Sequence, residues 1–152
     1  MTEVERTSDQ LHRAFYGKAW HGPAVMVLLN DVSAAQASAH PVKNVHSTWE
    51  IVHHIGAWKD AVRRQLLGEI VELDDIHDWP SVQDHSDAAW QKTLEELTRR
   101  HTELEAVVAG LSELDLEKPS PGRQSSVYFL IHGLIQHDLY HAGQIALLIR
   151  AM

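Results

Sequence analysis

The sequence predicts an all-α fold, a four-helix bundle with one long crossover connection. Three observations carry this reading. Apolar residues recur at helical spacing in four separate stretches, Gly, Pro and Ser punctuate their borders, and no stretch alternates convincingly between apolar and polar residues as a half-buried strand does. The chain has 152 residues, 44% of them apolar, so it is read as a single domain, 1–152, around one core.

The first stretch runs from about Thr7 to Trp20, with Leu11, Phe15 and Trp20 roughly on one side. His21-Gly22-Pro23 interrupts it. Pro23 suits the first turn of a new short helix, Ala24 to Leu29, because its missing N–H is not needed there. Ser33 would cap another short helix through Ala39. Ser47-Thr48-Trp49-Glu50 fits a capping box, with Ser at the N-cap and Glu three residues on. That second long helix continues to Leu67 and stops at Gly68. The loop from Glu69 to Asp84, with Trp79-Pro80 inside it, is long for a compact domain and reads as a functional segment or a crossover. Ser86 caps a third helix, Asp87 to Ala109, whose inward seam is Trp90, Leu94, Leu97, His101, Leu104 and Val108, with Gly110 as its stop. A loop from Glu113 to Gln124 holds Pro119, Pro121 and Gly122. Ser125 or Ser126 then opens the last helix, which runs to the end of the chain.

Composition excludes several classes. There is no cysteine, which removes disulfides, thiolate metal sites and a protein thiol nucleophile together. Lys and Arg number 13 against 21 Asp and Glu, a formal charge of -8. Affinity for nucleic acid comes mainly from basic residues, and no basic stripe is present, so no nucleic-acid partner is expected. No apolar stretch approaches the ~20 residues of a membrane span. The polar, acidic start MTEVERTSDQ does not read as a secretory signal. A cytoplasmic protein is expected.

Twelve histidines are the unusual feature. The last helix carries a seam of Leu130, Leu134, His137, His141, Ile145 and Leu148, so two imidazoles stand where a bundle wants leucine. They are four residues apart, one turn along a single face, and can share a metal. Roughly one such pair is expected by chance among this many histidines, so the seam position carries more weight than the spacing. An unpartnered buried polar group costs about 1–3 kcal/mol, and a metal ion would partner both. Core histidines satisfied by hydrogen bonds are the alternative. In the second helix the seam reads Ile51, His54 or Ile55, Trp58, Val62 and Leu66. His54 lies on it, whereas His53 falls with Trp49, Gly56 and Asp60 nearer the flank. His46 precedes the capping box and is set aside.

Three histidine ligands would leave one tetrahedral position open, the pattern of a catalytic rather than a structural zinc. Zinc is the default for one divalent ion in such a site; imidazole also suits nickel, copper or iron. Tyr140, three residues past His137, and Gln144, three past His141, are candidates to orient ligands or substrate. Glu50 more naturally completes the capping box. Glu50-Ile51-Val52-His53 matches the Glu-x-x-His element of di-iron bundles, but no second copy exists in the sequence.

Two segments resemble a known family. His137-Asp138-Leu139-Tyr140-His141-Ala142-Gly143-Gln144-Ile145 is similar to the C-terminal signature of the DinB-like (DinB/YfiT-type) metalloproteins. His46-Ser47-Thr48-Trp49-Glu50-Ile51-Val52-His53-His54-Ile55 is similar to the segment in which that family places a ligand histidine just before an aliphatic residue, which again selects His54. Trp20-His21-Gly22-Pro23, Trp58-Lys59-Asp60 and Asp78-Trp79-Pro80 extend the likeness over nearly the whole chain. The resemblance implies an up-down-down-up four-helix bundle, a three-histidine site for zinc or nickel, and a homodimer. Some relatives are thiol S-transferases or thiol-dependent isomerases using low-molecular-weight thiols, and many have no assigned reaction.

Three functions follow as expectations. The first is an enzyme, a metal-dependent thiol S-transferase or hydrolase acting on small electrophiles with a low-molecular-weight thiol as partner. The second is a non-catalytic metal-binding stress-response protein. The third is an interaction module without metal.

Overall fold

The computed structural model describes the backbone of all 152 residues and every side chain except that of Ile76. The described residues form α1 (Glu3–Tyr16), α2 (Val25–Leu29), α3 (Ala34–Ser38), α4 (Thr48–Leu66), α5 (Asp75–Asp78), α6 (Asp87–Ala109), α7 (Glu113–Glu117) and α8 (Val127–Arg150). Among them there is no strand, only two isolated bridges, Ala19 with Gly22 and Pro119 with Ser126. No helix is long and apolar enough to cross a membrane.

Hydroxyl caps start most of the helices by accepting N–H groups that have no intrahelical partner. Thr2, Ser33, Ser47 and Ser112 form reciprocal capping boxes with Glu5, Gln36, Glu50 and Asp115. Ser86 and Ser126 cap α6 and α8 through the amides of Ala89 and Phe129. The Thr2 box starts the first helix earlier than predicted, and Gly17, with φ 144°, ends it before Trp20. Trp20 therefore projects fully into solvent and is not part of the inward side. Pro23 precedes an extended N-cap, Ala24, instead of sitting in the first turn of α2. Gly68, at φ 100°, follows the end of α4 as predicted, whereas Gly110 has an ordinary φ of -83° and ends α6 without using glycine's freedom. Two predicted loops contain short helices, α5 and α7. Elements of four and five residues are too short to show a period.

The long helices form a ring of contacts: α4 packs on α6 and α8, and α1 packs on the same two. Trp49 Nε1 donates to Thr93 Oγ1 at 3.0 Å, Gly56 faces Leu97 and Arg100, and Arg63 reaches Glu103. So α4 and α6 advance together. Across α1 and α6 the order reverses, with His12 on Glu105 and Tyr16 on Thr102. One apolar cluster gathers Phe15, Trp49, Ile55, Trp90, Leu97 and Ile145; a second gathers Leu11, Val62, Leu104, Val108, Ile131 and Leu134.

Along α4, Lys59 falls between Ile55 of the first cluster and Val62 of the second. It is fully buried and donates to the equally buried Asp138 of α8 at 2.6 Å. Its ammonium also stands 4.6 Å from the centre of the Phe15 ring. Burial pushes the Asp138 carboxyl up, outweighing the opposing pull of Lys59. The buried face of α8 therefore runs through Ile131, Leu134, Asp138, His141, Ile145 and Leu148, while Leu130 and His137 lie at its half-buried edge. Helix α4 is enclosed around most of its girth, with Trp58 and Leu66 half-buried and Lys59 inside. His101, on the α6 seam as predicted, is fully buried and stacked on Phe15 at 3.8 Å. Glu105 lies 3.3 Å from its Nε2, yet neither ring nitrogen makes a hydrogen bond.

Asp138→Ala should lower stability by about 3–5 kcal/mol in urea unfolding, because it strands a buried ammonium. The double variant Lys59→Met/Asp138→Leu should recover most of that loss. His101 is held neutral, its pKa pushed down to about 2 by burial first and the Lys59 charge next. The unfolded chain takes up this proton near pH 6.5, so stability is full above that pH and falls as the pH drops towards 2. His101→Leu should flatten this part of the melting temperature's pH profile.

Candidate metal centre

Three rings meet where α4 touches α8. His54 Nε2 lies 2.9 Å from His137 Nε2, which lies 3.1 Å from His141 Nε2. All three donor atoms fall within 4.8 Å of one another, the one such cluster among the described residues. The i,i+4 spacing on α8 sets His137 edge to face with His141, with ring centroids 4.4 Å apart. Helix α4 brings His54 from a segment far away in sequence.

The outer nitrogens decide where the lone pairs point. His54 Nδ1 donates to the Asp78 carbonyl at 2.8 Å. A carbonyl only accepts, so Nδ1 carries the hydrogen and Nε2 presents a bare lone pair inward. The Asp78 carboxylate sits 3.0 Å from the same Nδ1 and is held by Trp58 Nε1 at 2.7 Å. His141 Nδ1 faces Gln144 Oε1 at 2.6 Å, which fixes the same tautomer there. His137 Nδ1 is buried and has no partner. Without an ion, three convergent nitrogens have at most one hydrogen to share, and lone pairs face each other. A cation satisfies all three. Two ligand nitrogens on one zinc, ~2.0–2.1 Å from it, stand ~3.3 Å apart at the tetrahedral angle, close to the His54–His137 and His137–His141 separations. The three histidines could hold a metal ion.

Electrostatics agree with that donor set. Burial is the leading cause that lowers all three pKa values, and His137 is pushed down to about 3 with further help from charge on His141, His54 and Lys59. The rings are neutral near pH 7, as ligands must be. Trp79 packs flat on His54, 3.8 Å away and 6° from parallel, and His46 covers its opposite face at 3.8 Å and 7°. His46 thus lies outside the ligand set, as predicted, but it completes a three-ring stack.

The remaining candidates separate. Gln144 touches His141 as its spacing predicted. Tyr140 is largely exposed and meets His141 only ring edge to face, at 5.1 Å, with no hydrogen bond to its hydroxyl. Glu50 completes the capping box and accepts from His40, while His53 donates to the Pro80 carbonyl and accepts from Trp49. Their di-iron pattern is therefore spent on structure. Periodicity missed Asp78 and Trp79, and it placed Trp58 on the α4 seam without its bond to Asp78. Two of the motifs that resemble the DinB-like proteins contain them, without saying what they do.

Residues 20–145 match the family model described as the DinB superfamily. No curated protein and no solved structure matches the chain.

Gln144→Ala frees His141 Nδ1 and should weaken zinc affinity about 10–100-fold in competition with a chromophoric chelator. Tyr140→Phe removes a hydroxyl that touches nothing and should leave that affinity unchanged.

Proposed function

The chain belongs to the DinB superfamily, and on that premise we propose that it binds one divalent ion, zinc or nickel, through His54, His137 and His141 and uses it to activate a small nucleophile. The observation that supports this reading is the convergence of three Nε2 atoms, two of them on rings whose tautomers are set from outside by Asp78 and Gln144. The preferred reaction is S-transfer from a low-molecular-weight thiol to a small electrophile, with hydrolysis of a small electrophile by the same site as the variant.

When bound, the ion lowers the pKa of a coordinated thiol or water, so that thiolate or hydroxide is available near neutral pH. The protein's own part is placement. His54, His137 and His141 would hold the ion as three neutral ligands and so would leave it its full positive charge for the nucleophile. Asp78 and Gln144 keep the His54 and His141 rings from rotating. Trp79 and Trp58 wall the site with apolar surface that excludes water and strengthens the field around the nucleophile. Tyr140 flanks His141 on the solvent side, where its hydroxyl can position an incoming electrophile.

The bundle course that fits this family reading is up-down-down-up. It is supported by the matched advance of α4 and α6 and the reversed pairing of α1 with α6. A homodimer is part of the same reading. The outer face of α1 is charged at Glu5, Arg6 and Glu3, so that helix offers little. Helix α8 offers more: Phe129, Gln136, Tyr140 and Leu147 form an exposed face without formal charge.

Protein purified without nickel resin should carry about one equivalent of zinc or nickel by elemental analysis. His137→Ala should abolish that content. The loaded protein should catalyse conjugation of 1-chloro-2,4-dinitrobenzene with at least one bacterial thiol, and a chelator should reduce the rate by about 100-fold or more. Metal without turnover on this or on ester substrates would move the protein to the non-catalytic metal-binding reading. Absence of metal would remove both.

A further inference from the structure

On the other side of α4 from the histidines, a cavity of about 650 Å³ lies between α4, α6 and the segment from Pro80 to Asp84. Its size is that of a small-molecule site. Trp49, Val52, Leu97 and Val82 give it apolar walls. Gly56 adds open floor: the nearest atoms to a Cβ built there are Arg100 and Leu97 side-chain atoms at 3.6–3.7 Å. An alanine would fit in ordinary contact and would favour the helix by about 1 kcal/mol, yet the chain carries glycine at this point.

The polar groups around the cavity are nearly all occupied. Both ring nitrogens of His53 are hydrogen-bonded, to Pro80 and Trp49. Thr93 accepts from Trp49 and donates to the Ala89 carbonyl. Asp84 caps the Ser86 amide, and Gln83 is bonded to Ser81. Glu96 is shared by Arg99 and Arg100. The exception is Arg100. Its Nε is taken by Glu96 at 2.8 Å, but its two terminal nitrogens have no acceptor among the described residues. This guanidinium edge lies over Gly56 and also borders a neighbouring, more polar cavity lined by Asp60, Arg64 and Glu72. Lys92, an exposed residue of the lining, has no ion-pair partner among the described residues either.

We propose that this cavity is a second binding site, for a small apolar carboxylate. The carboxylate meets the free N–H edge of Arg100, and the apolar body lies over Gly56 between Trp49, Val52, Leu97 and Val82. The fork of guanidinium N–H groups matches the two oxygens of a carboxylate. The apolar walls of Trp49, Val52, Leu97 and Val82 select for hydrocarbon. The assignment is independent of the metal reading, since no ligand histidine lines the cavity.

A titration of the full-length, zinc-loaded protein with 3-phenylpropionate, followed by amide and indole NMR, tests it. Saturable shifts are expected at the Gly56, Val82 and Leu97 amides and at the Trp49 indole, within about 10 mM ligand. Binding should weaken about tenfold or more with the uncharged 3-phenylpropionamide. It should weaken equally in Arg100→Gln, a half-exposed position where the substitution retains an amide for Glu96. Equal binding of acid and amide, or unchanged binding by Arg100→Gln, overturns the proposal. So does the absence of shifts at these positions, or shifts confined to His137–His141, which would place the probe on the metal.

Discussion

Three imidazole nitrogens gathered at one point constrain the rest of this molecule. The tautomers of two of the rings are set by groups outside the ring triangle. The Asp78 carbonyl and the Gln144 amide oxygen both require a hydrogen on Nδ1, so Nε2 of His54 and of His141 must face inward bare. Such a centre calls for a cation, because neutral ring nitrogens cannot all donate to one another.

The layer next to the site holds the two helices in register. Lys59 is five residues beyond His54, and Asp138 is adjacent to His137. Their buried contact fixes how far α4 slides along α8. An apolar pair in the same place would fill the space but tolerate several registers, whereas an ammonium and a carboxylate inside a protein accept very few. The same layer carries further polar atoms without partners, His101 and one Asp138 oxygen. The centre of the bundle is thus less oily than its two apolar clusters, and its acid sensitivity follows from that.

Much of this organisation is legible in the sequence, and the reasons are local. Ser47 with Glu50, Ser86 and Ser126 mark helix starts because capping is a short-range interaction written in adjacent residues. His54, His137 and His141 stand out because they occupy apolar positions of a 3.6-residue period. What periodicity could not find is chemistry at right angles to it. Lys59 and Asp138 look like surface residues, since a charge is read outward unless its partner is known, and the partner lies 79 positions away. Asp78 and Trp79 sit in a segment without a period. Trp20 shows the converse error: an aromatic at a plausible helical spacing is no evidence of burial once Gly17 has ended the helix. The long segment before α6 is unusual in the sequence, and its Pro80 and Asp78 carbonyls, bonded to His53 and His54, give it a purpose that no local pattern announces.

The stack of His46, Trp79 and His54 has a further meaning. An imidazole covered by an indole on one face, hydrogen-bonded at its outer nitrogen and rooted in a capped helix has little torsional freedom left to lose. An ion arriving from solution would find this donor already in place. The speed of capture would then be governed by how readily the ion sheds its own water, and metals with slowly exchanging hydration shells would load last.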